Sequence, residues 1–193
     1  MIMTLPDAPP RMVEVLDDDS LYDVVDGRKE VKTMSVYENV IAGVLYRILD
    51  QFVFTSRLGR GLVETMFEMA EGGNRRRPDV AYLSCQRWPQ SRRPPSTEAW
   101  PVVPEIAAEV VSPTNDMKDV LDKVQEYFEA GVQCVWLVLP EHELIYVYSS
   151  MTSVRILSRA DELTDETILP GFRLPLGDLF PLPDPEPALA SPQ

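Results

Sequence analysis

Apolar and polar positions follow different periods along the chain, and each change of period marks an element. In SLYDVVDGRKEVKTM, residues 20–34, strand formers flank Asp26-Gly27. That pair suits a two-residue turn of left-handed backbone, so a β-hairpin is predicted. The next stretch, SVYENVIAGVLYRILDQF, places Glu38, Ile41, Leu45, Ile48 and Phe52 on one stripe, widened by Val44 and Leu49. This spacing predicts a long helix, and Ser35 with Glu38 forms a capping-box pattern at its start. LVETMFEM, 62–69, alternates like a strand, EGGNRRR supplies a turn, and PDVAYLS, 78–84, starts another strand with proline at its mouth.

The stretch from 85 to 104 is rich in proline, serine and arginine and reads as a loop. A strand is predicted from about Val102 to Val111, then a helix whose apolar face carries Met117, Val120, Leu121, Val124 and Phe128 and which stops at Gly131. CVWLVLP, 134–140, is a continuous apolar run suited to a central strand buried on both faces. ELIYVYSS and SVRILSR look like an outer hairpin, and ILPGFRLPLGDLF packs the end back. Strand, helix and strand between Val102 and Leu139 imply a right-handed parallel crossover. The predicted fold is an α/β mixed sheet flanked by helices, preceded by an N-terminal hairpin.

With 193 residues, one sizeable domain is expected. Residues 13–181 are read as that domain, with mobile ends at 1–12 and in the proline-rich 182–193. No apolar run approaches the roughly 20 residues of a membrane span, and the start lacks a signal-peptide pattern. Cys85 and Cys134, alone and far apart, give neither metal-ligand spacing nor a disulfide framework. A cytoplasmic location, with no membrane partner, is therefore expected.

The net charge of −13 argues against a protein that coats nucleic acid indiscriminately. The charge is uneven, however: from Arg75 to Arg93 six arginines face one acid, Asp79. Arg75, Arg76, Arg77, Arg92 and Arg93 are therefore candidate contacts to a phosphate backbone. Trp88 and Trp100 bracket this loop, and either stack on bases or anchor the loop to the body.

Glu109 is the most unusual residue, lying in the apolar run IAAEVV. A buried unpaired carboxylate is costly, and Asp79 is expected on the adjacent strand. Two carboxylates brought together call for a cation between them. Mg²⁺ (or Mn²⁺ in its place) takes one or two protein carboxylates and keeps waters for substrate oxygens, which suits phosphodiester hydrolysis. A plainer alternative is that Glu109 pairs with Lys123 and no metal binds.

RRRPDVAYLS, PEIAAEVVSPTND, DKVQEYFEAGVQCVWLV and ILPGFRLPLGDLF together resemble the Uma-type restriction endonuclease family of the PD-(D/E)xK nuclease superfamily, over about Tyr22 to Phe180. The resemblance implies Pro78-Asp79 as the PD element, Glu109 as the second acid, and Mg²⁺ held by both with the Val110 carbonyl. The superfamily lysine belongs two residues after Glu109, where this chain has Val111. The resemblance implies that Lys123, on the following helix, replaces it and orients the attacking water. Glu38, where many members carry histidine, and Glu30 on the hairpin are candidate accessory acids, though the capping role is the favoured reading of Glu38. Lys123 has a bland alternative too, an i,i+4 pair with Asp119. The expected function is a metal-dependent endonuclease acting on DNA; the alternative is a non-catalytic scaffold that keeps the fold. A homodimer through an edge near Tyr146 and Tyr148 is a further expectation.

Overall fold

The computed structural model describes residues 20–70 and 73–180. The expected mobile segments 1–12 and 182–193 lie outside them. Asp26 and Gly27 both have positive φ, 49° and 74°, and they join β1 (Tyr22–Val25) to β2 (Arg28–Val31) as an antiparallel hairpin. Helix α1 (Val36–Thr55) follows, with the capping box formed at Ser35 and Glu38. Its buried row, Ile41, Leu45, Leu49 and Val53, is the predicted stripe shifted slightly around the helix.

The expected 62–69 strand is broken. β3 (Gly59–Val63) ends where Glu64 adopts a left-handed φ of 46°, and a two-residue β4 (Phe67–Glu68) joins a different sheet. β5 (Arg75–Arg76) pairs with both β4 and β1, so the arginine turn is stitched to the hairpin. β6 (Val80–Ser84), β7 (Ile106–Val110), α2 (Met117–Ala130) and β8 (Cys134–Leu139) follow. β7 is shorter than expected, beginning at Ile106 rather than Val102. It runs parallel to β8, with α2 as the crossover and Gly131 as a left-handed C-cap at φ 100°.

β9 (Leu144–Ser150) and β10 (Ser153–Ser158) complete a six-stranded sheet of order β10-β9-β8-β7-β6-β3. β9 is therefore internal, paired on both sides. Tyr146 and Tyr148 do not form an edge, and the dimer expectation loses that surface; β10 is the edge strand instead. A small hairpin of β11 (Glu162–Asp165) and β12 (Leu169–Pro175), then a short helix α3 (Leu176–Leu179), close the described chain.

Alternation along the central strands divides the core in two. Val80, Tyr82, Ile106, Ala108, Trp136 and Val138 pack against α1, β12 and α3. Ala81, Leu83, Ala107, Val135 and Leu137 pack against Val124 and Tyr127 of α2 and against Phe67, Trp88 and Trp100. Odd-numbered positions of β7 thus face α2, and Glu109 is the next odd position after Ala107. The same topology brings the end of β7 beside the start of β6, because the two are antiparallel, with Val80 opposite Ala108.

Candidate active site

Asp79 immediately precedes β6 and is 2% exposed; Glu109, near the end of β7, is 7% exposed. The Val110 N–H donates to Asp79 Oδ2 at 2.6 Å, which ties the two strand ends together. Lys123 lies on the same side of α2 as Val120 and Tyr127. Its ammonium is 3.3 Å from Glu109 Oε2 and 3.1 Å from Asp23 Oδ2. Tyr127 donates its hydroxyl to Glu109 Oε1 at 2.5 Å. The pair with Asp119 is not formed; the i,i+4 ion pair on this helix joins Lys118 and Asp122.

Four participants were not expected from the sequence. Asp23, on β1, is buried and accepts from the Arg77 N–H at 2.7 Å. Lys32, just past β2, donates to Asp79 Oδ1 at 2.6 Å and to the Arg77 carbonyl at 2.5 Å, and lies 3.4 Å from Glu64 Oε2. Glu64 is delivered by the break after β3. Tyr127 was not among the residues expected on the apolar face of its helix. A polar residue within an alternating hairpin strand was the one available signal for Asp23. Lys32 and Glu64 acquire their roles only through contacts 32 to 47 residues apart in sequence.

Burial raises the Glu109 carboxyl above its ordinary range, and the nearby Asp79 and Asp23 add to the rise, so that Lys123 and Lys32 offset it only in part. Glu64 is pushed up to about 7, chiefly by burial, with Asp79 and Glu109 adding to the rise and Lys32 opposing it. Burial disfavours the charge of Lys123 and Lys32, but the carboxylates outweigh it and both stay firmly protonated. Asp23 is also penalised by burial, yet Lys123, Lys32 and Arg76 hold its carboxyl below the usual range.

A cleft of about 420 Å³ opens over these groups. Seven acids and three bases line it, among them Asp79, Glu109, Lys32, Lys123 and, on the rim, Glu30, Asp119 and Asp122. Acids thus outnumber bases around the cleft, and at Glu109 the neighbouring carboxylates add to a rise that burial chiefly causes. Among the described residues, no three Asp, Glu, His or Cys side chains converge as a ready-made metal site. Mg²⁺ needs only one or two carboxylates, its remaining ligands being water or backbone oxygen. Donor chemistry and charge balance therefore both fit a hard divalent cation held by Asp79 and Glu109.

Other expected residues lie elsewhere. Glu38 accepts from the Ser35 N–H at 2.7 Å, capping its own helix, and is absent from the cleft lining. Glu30 is on the cleft rim, 59% exposed and 3.8 Å from Arg76. The 75–77 arginines do not form an open basic patch, because each has an internal partner. Arg75 pairs with Glu98 at 3.0 Å; Arg76 is buried between Glu126 and Asp23; Arg77 donates to the Glu64 carbonyl at 2.6 Å. Their charge holds the hairpin and α2 to the body. Arg92 and Arg93 are exposed but do not line the cleft, and Arg92 stacks 3.7 Å from the Trp88 ring centroid. Trp88 and Trp100 are buried edge to face, 5.2 Å apart, and so anchor the loop rather than offering faces to bases.

The model of the Uma2 family, described as "Putative restriction endonuclease", matches residues 5–177. The chain belongs to this family. A crystal structure of a "putative nuclease belonging to DUF820" from Anabaena variabilis ATCC 29413 superposes with a TM-score of 0.72 at 18% identity. The match covers 83% of this chain and 89% of that one, and at this identity it shows a shared fold. No curated protein matches. No described helix of this Uma2 member is long and apolar enough to cross a membrane.

Proposed function

We propose that this Uma2 protein is a metal-dependent endonuclease that hydrolyses DNA phosphodiester bonds. The observation that carries the reading is the unbalanced carboxylate cluster at the β6–β7 junction, open to a cleft and reached by a lysine. Asp79 and Glu109, with the Val110 carbonyl, are the residues that would hold Mg²⁺, or Mn²⁺ in its place. The ion supplies Lewis-acid stabilisation of phosphate charge and a more acidic water. Lys123 orients the attacking water and offers positive charge to the phosphorane as it forms. Tyr127 fixes one oxygen of Glu109, leaving the other toward Lys123. Asp23 in turn fixes the Lys123 ammonium, so the lysine is positioned before substrate arrives.

The rim acids bear on substrate binding. Glu30, Asp119 and Asp122 repel a polyanion, so DNA approaches well only once divalent ions have reversed part of that field. Arg92 and Arg93 are the remaining candidates for outlying phosphate contacts.

One observation favours the alternative, a non-catalytic scaffold. Each oxygen of Asp79 and Glu109 has a protein donor: Lys32, the Val110 N–H, Tyr127 and Lys123. Calorimetric titration with Mn²⁺ and Mg²⁺ separates the readings. Binding to the wild type that Asp79→Ala and Glu109→Ala both abolish is the expected result. No binding by the wild type, even with short DNA present to complete the coordination shell, would leave the scaffold reading standing.

A further inference from the structure

The Lys32 ammonium has three N–H donors and three oxygen acceptors, from two segments distant from it in sequence. They are Asp79 Oδ1 at 2.6 Å, the Arg77 carbonyl at 2.5 Å and Glu64 Oε2 at 3.4 Å. The side chain is only 11% exposed. Two carboxylates and a backbone carbonyl are the ligand set of a hard divalent cation, here gathered around a tethered monovalent one. Lys32 also lines the cleft, so its head group has a route out. Its backbone is held separately, with its N–H donating to the Leu21 carbonyl at 2.9 Å. The ammonium can therefore leave Asp79 without undoing the hairpin.

We propose that Lys32 is a positioning residue that occupies the Asp79 position as a built-in cation. It holds Asp79, Glu64 and the Arg77 carbonyl together in the metal-free protein, and the divalent ion displaces it. This rests on the metal-dependent reading above. Lys123 differs, because Asp23, which is not a proposed metal ligand, keeps its ammonium at 3.1 Å when Glu109 turns to the ion. Lys32 thus makes the empty site stable at the cost of metal affinity, setting the concentration at which the site fills.

Two measurements test this. The first is Mn²⁺ titration of the wild type and of Lys32→Met by calorimetry, with thermal melts of both without metal. Removing the competitor should tighten Mn²⁺ binding roughly ten- to a hundredfold, the range set by losing a charge-assisted hydrogen bond, while the metal-free melt falls. A residue with a purely structural role would weaken binding together with stability. The second uses the intact protein: the Lys32 side-chain ¹⁵N signal should lose its protection from solvent exchange when Mg²⁺ saturates the site. Equal or weaker Mn²⁺ binding in Lys32→Met, or a Lys32 signal still protected at saturation, overturns the proposal while the metal site stands. Absence of binding in both proteins overturns the metal reading itself, and this inference with it.

Discussion

Glu64→Gln offers a quantitative test of the charge imbalance. In the fold Glu64 titrates at about 7 against its ordinary 4.5, while the unfolded chain stays near the ordinary value. A raised folded pKa means that the native state keeps its proton where the unfolded state has lost it. The resulting stability is fully present below about pH 4.5 and is lost as pH rises through about 7. At about 1.4 kcal/mol per unit, the full effect would be about 3.5 kcal/mol. The Glu64 side chain is 21% exposed, and solvent screening reduces this to about 1–2 kcal/mol. Glutamine keeps the shape and a carbonyl for Lys32 but cannot ionise. Urea unfolding of metal-free protein from pH 5 to 9 should show the wild type losing about 1–2 kcal/mol more than Glu64→Gln across this range. The variant should be the more stable protein at pH 8. Parallel curves, or a variant weaker at pH 8, would refute the argument that burial and the neighbouring carboxylates outweigh Lys32 at Glu64.

Three other positions give further tests. Glu109→Gln relieves repulsion without stranding Lys123, which keeps Asp23 at 3.1 Å; metal-free stability should rise by about 1 kcal/mol, whereas a loss of roughly 3–5 kcal/mol in chemical denaturation would mark a true buried ion pair. Glu105→Ala removes the acceptor of the Ser84 N–H, the Ser84 hydroxyl and Arg87, and should cost about 2–4 kcal/mol with Mn²⁺ affinity unchanged by calorimetry. Gly59→Ala would place a Cβ 2.2 Å from the Leu83 carbonyl, separating β3 from β6; a loss of more than about 2 kcal/mol in urea melts is expected.

How much of this was legible beforehand differs between framework and site. The capping box, the Asp-Gly hairpin and the parallel crossover are local or periodic signals, and the structure forms all three. Asp79, Glu109 and Lys123 were readable because an acid in an apolar run is conspicuous and the family resemblance supplied the lysine. Lys32, Glu64 and Asp23 were not, since each is an ordinary polar residue until the topology folds the hairpin over the β6–β7 junction. The arginine stretch misled for the converse reason. A sum of charges along the sequence cannot show that Glu98, Glu126 and Asp23, far away in the chain, already neutralise Arg75 and Arg76. Likewise LVETMFEM alternates as one strand should, but Glu64 turns left-handed in its middle and carries its carboxylate to Lys32.

The most direct test of the central claim is DNA cleavage by purified protein at saturating Mg²⁺ or Mn²⁺, with the wild type run beside Glu109→Ala and Lys123→Met. Single-stranded and supercoiled duplex DNA are both supplied as substrates. The account predicts nicking by the wild type that chelator stops and that either substitution reduces by at least about a hundredfold, the range for losing one group that stabilises transition-state charge. Cleavage unaffected by both substitutions, or no cleavage of either substrate by metal-loaded wild type, would contradict it.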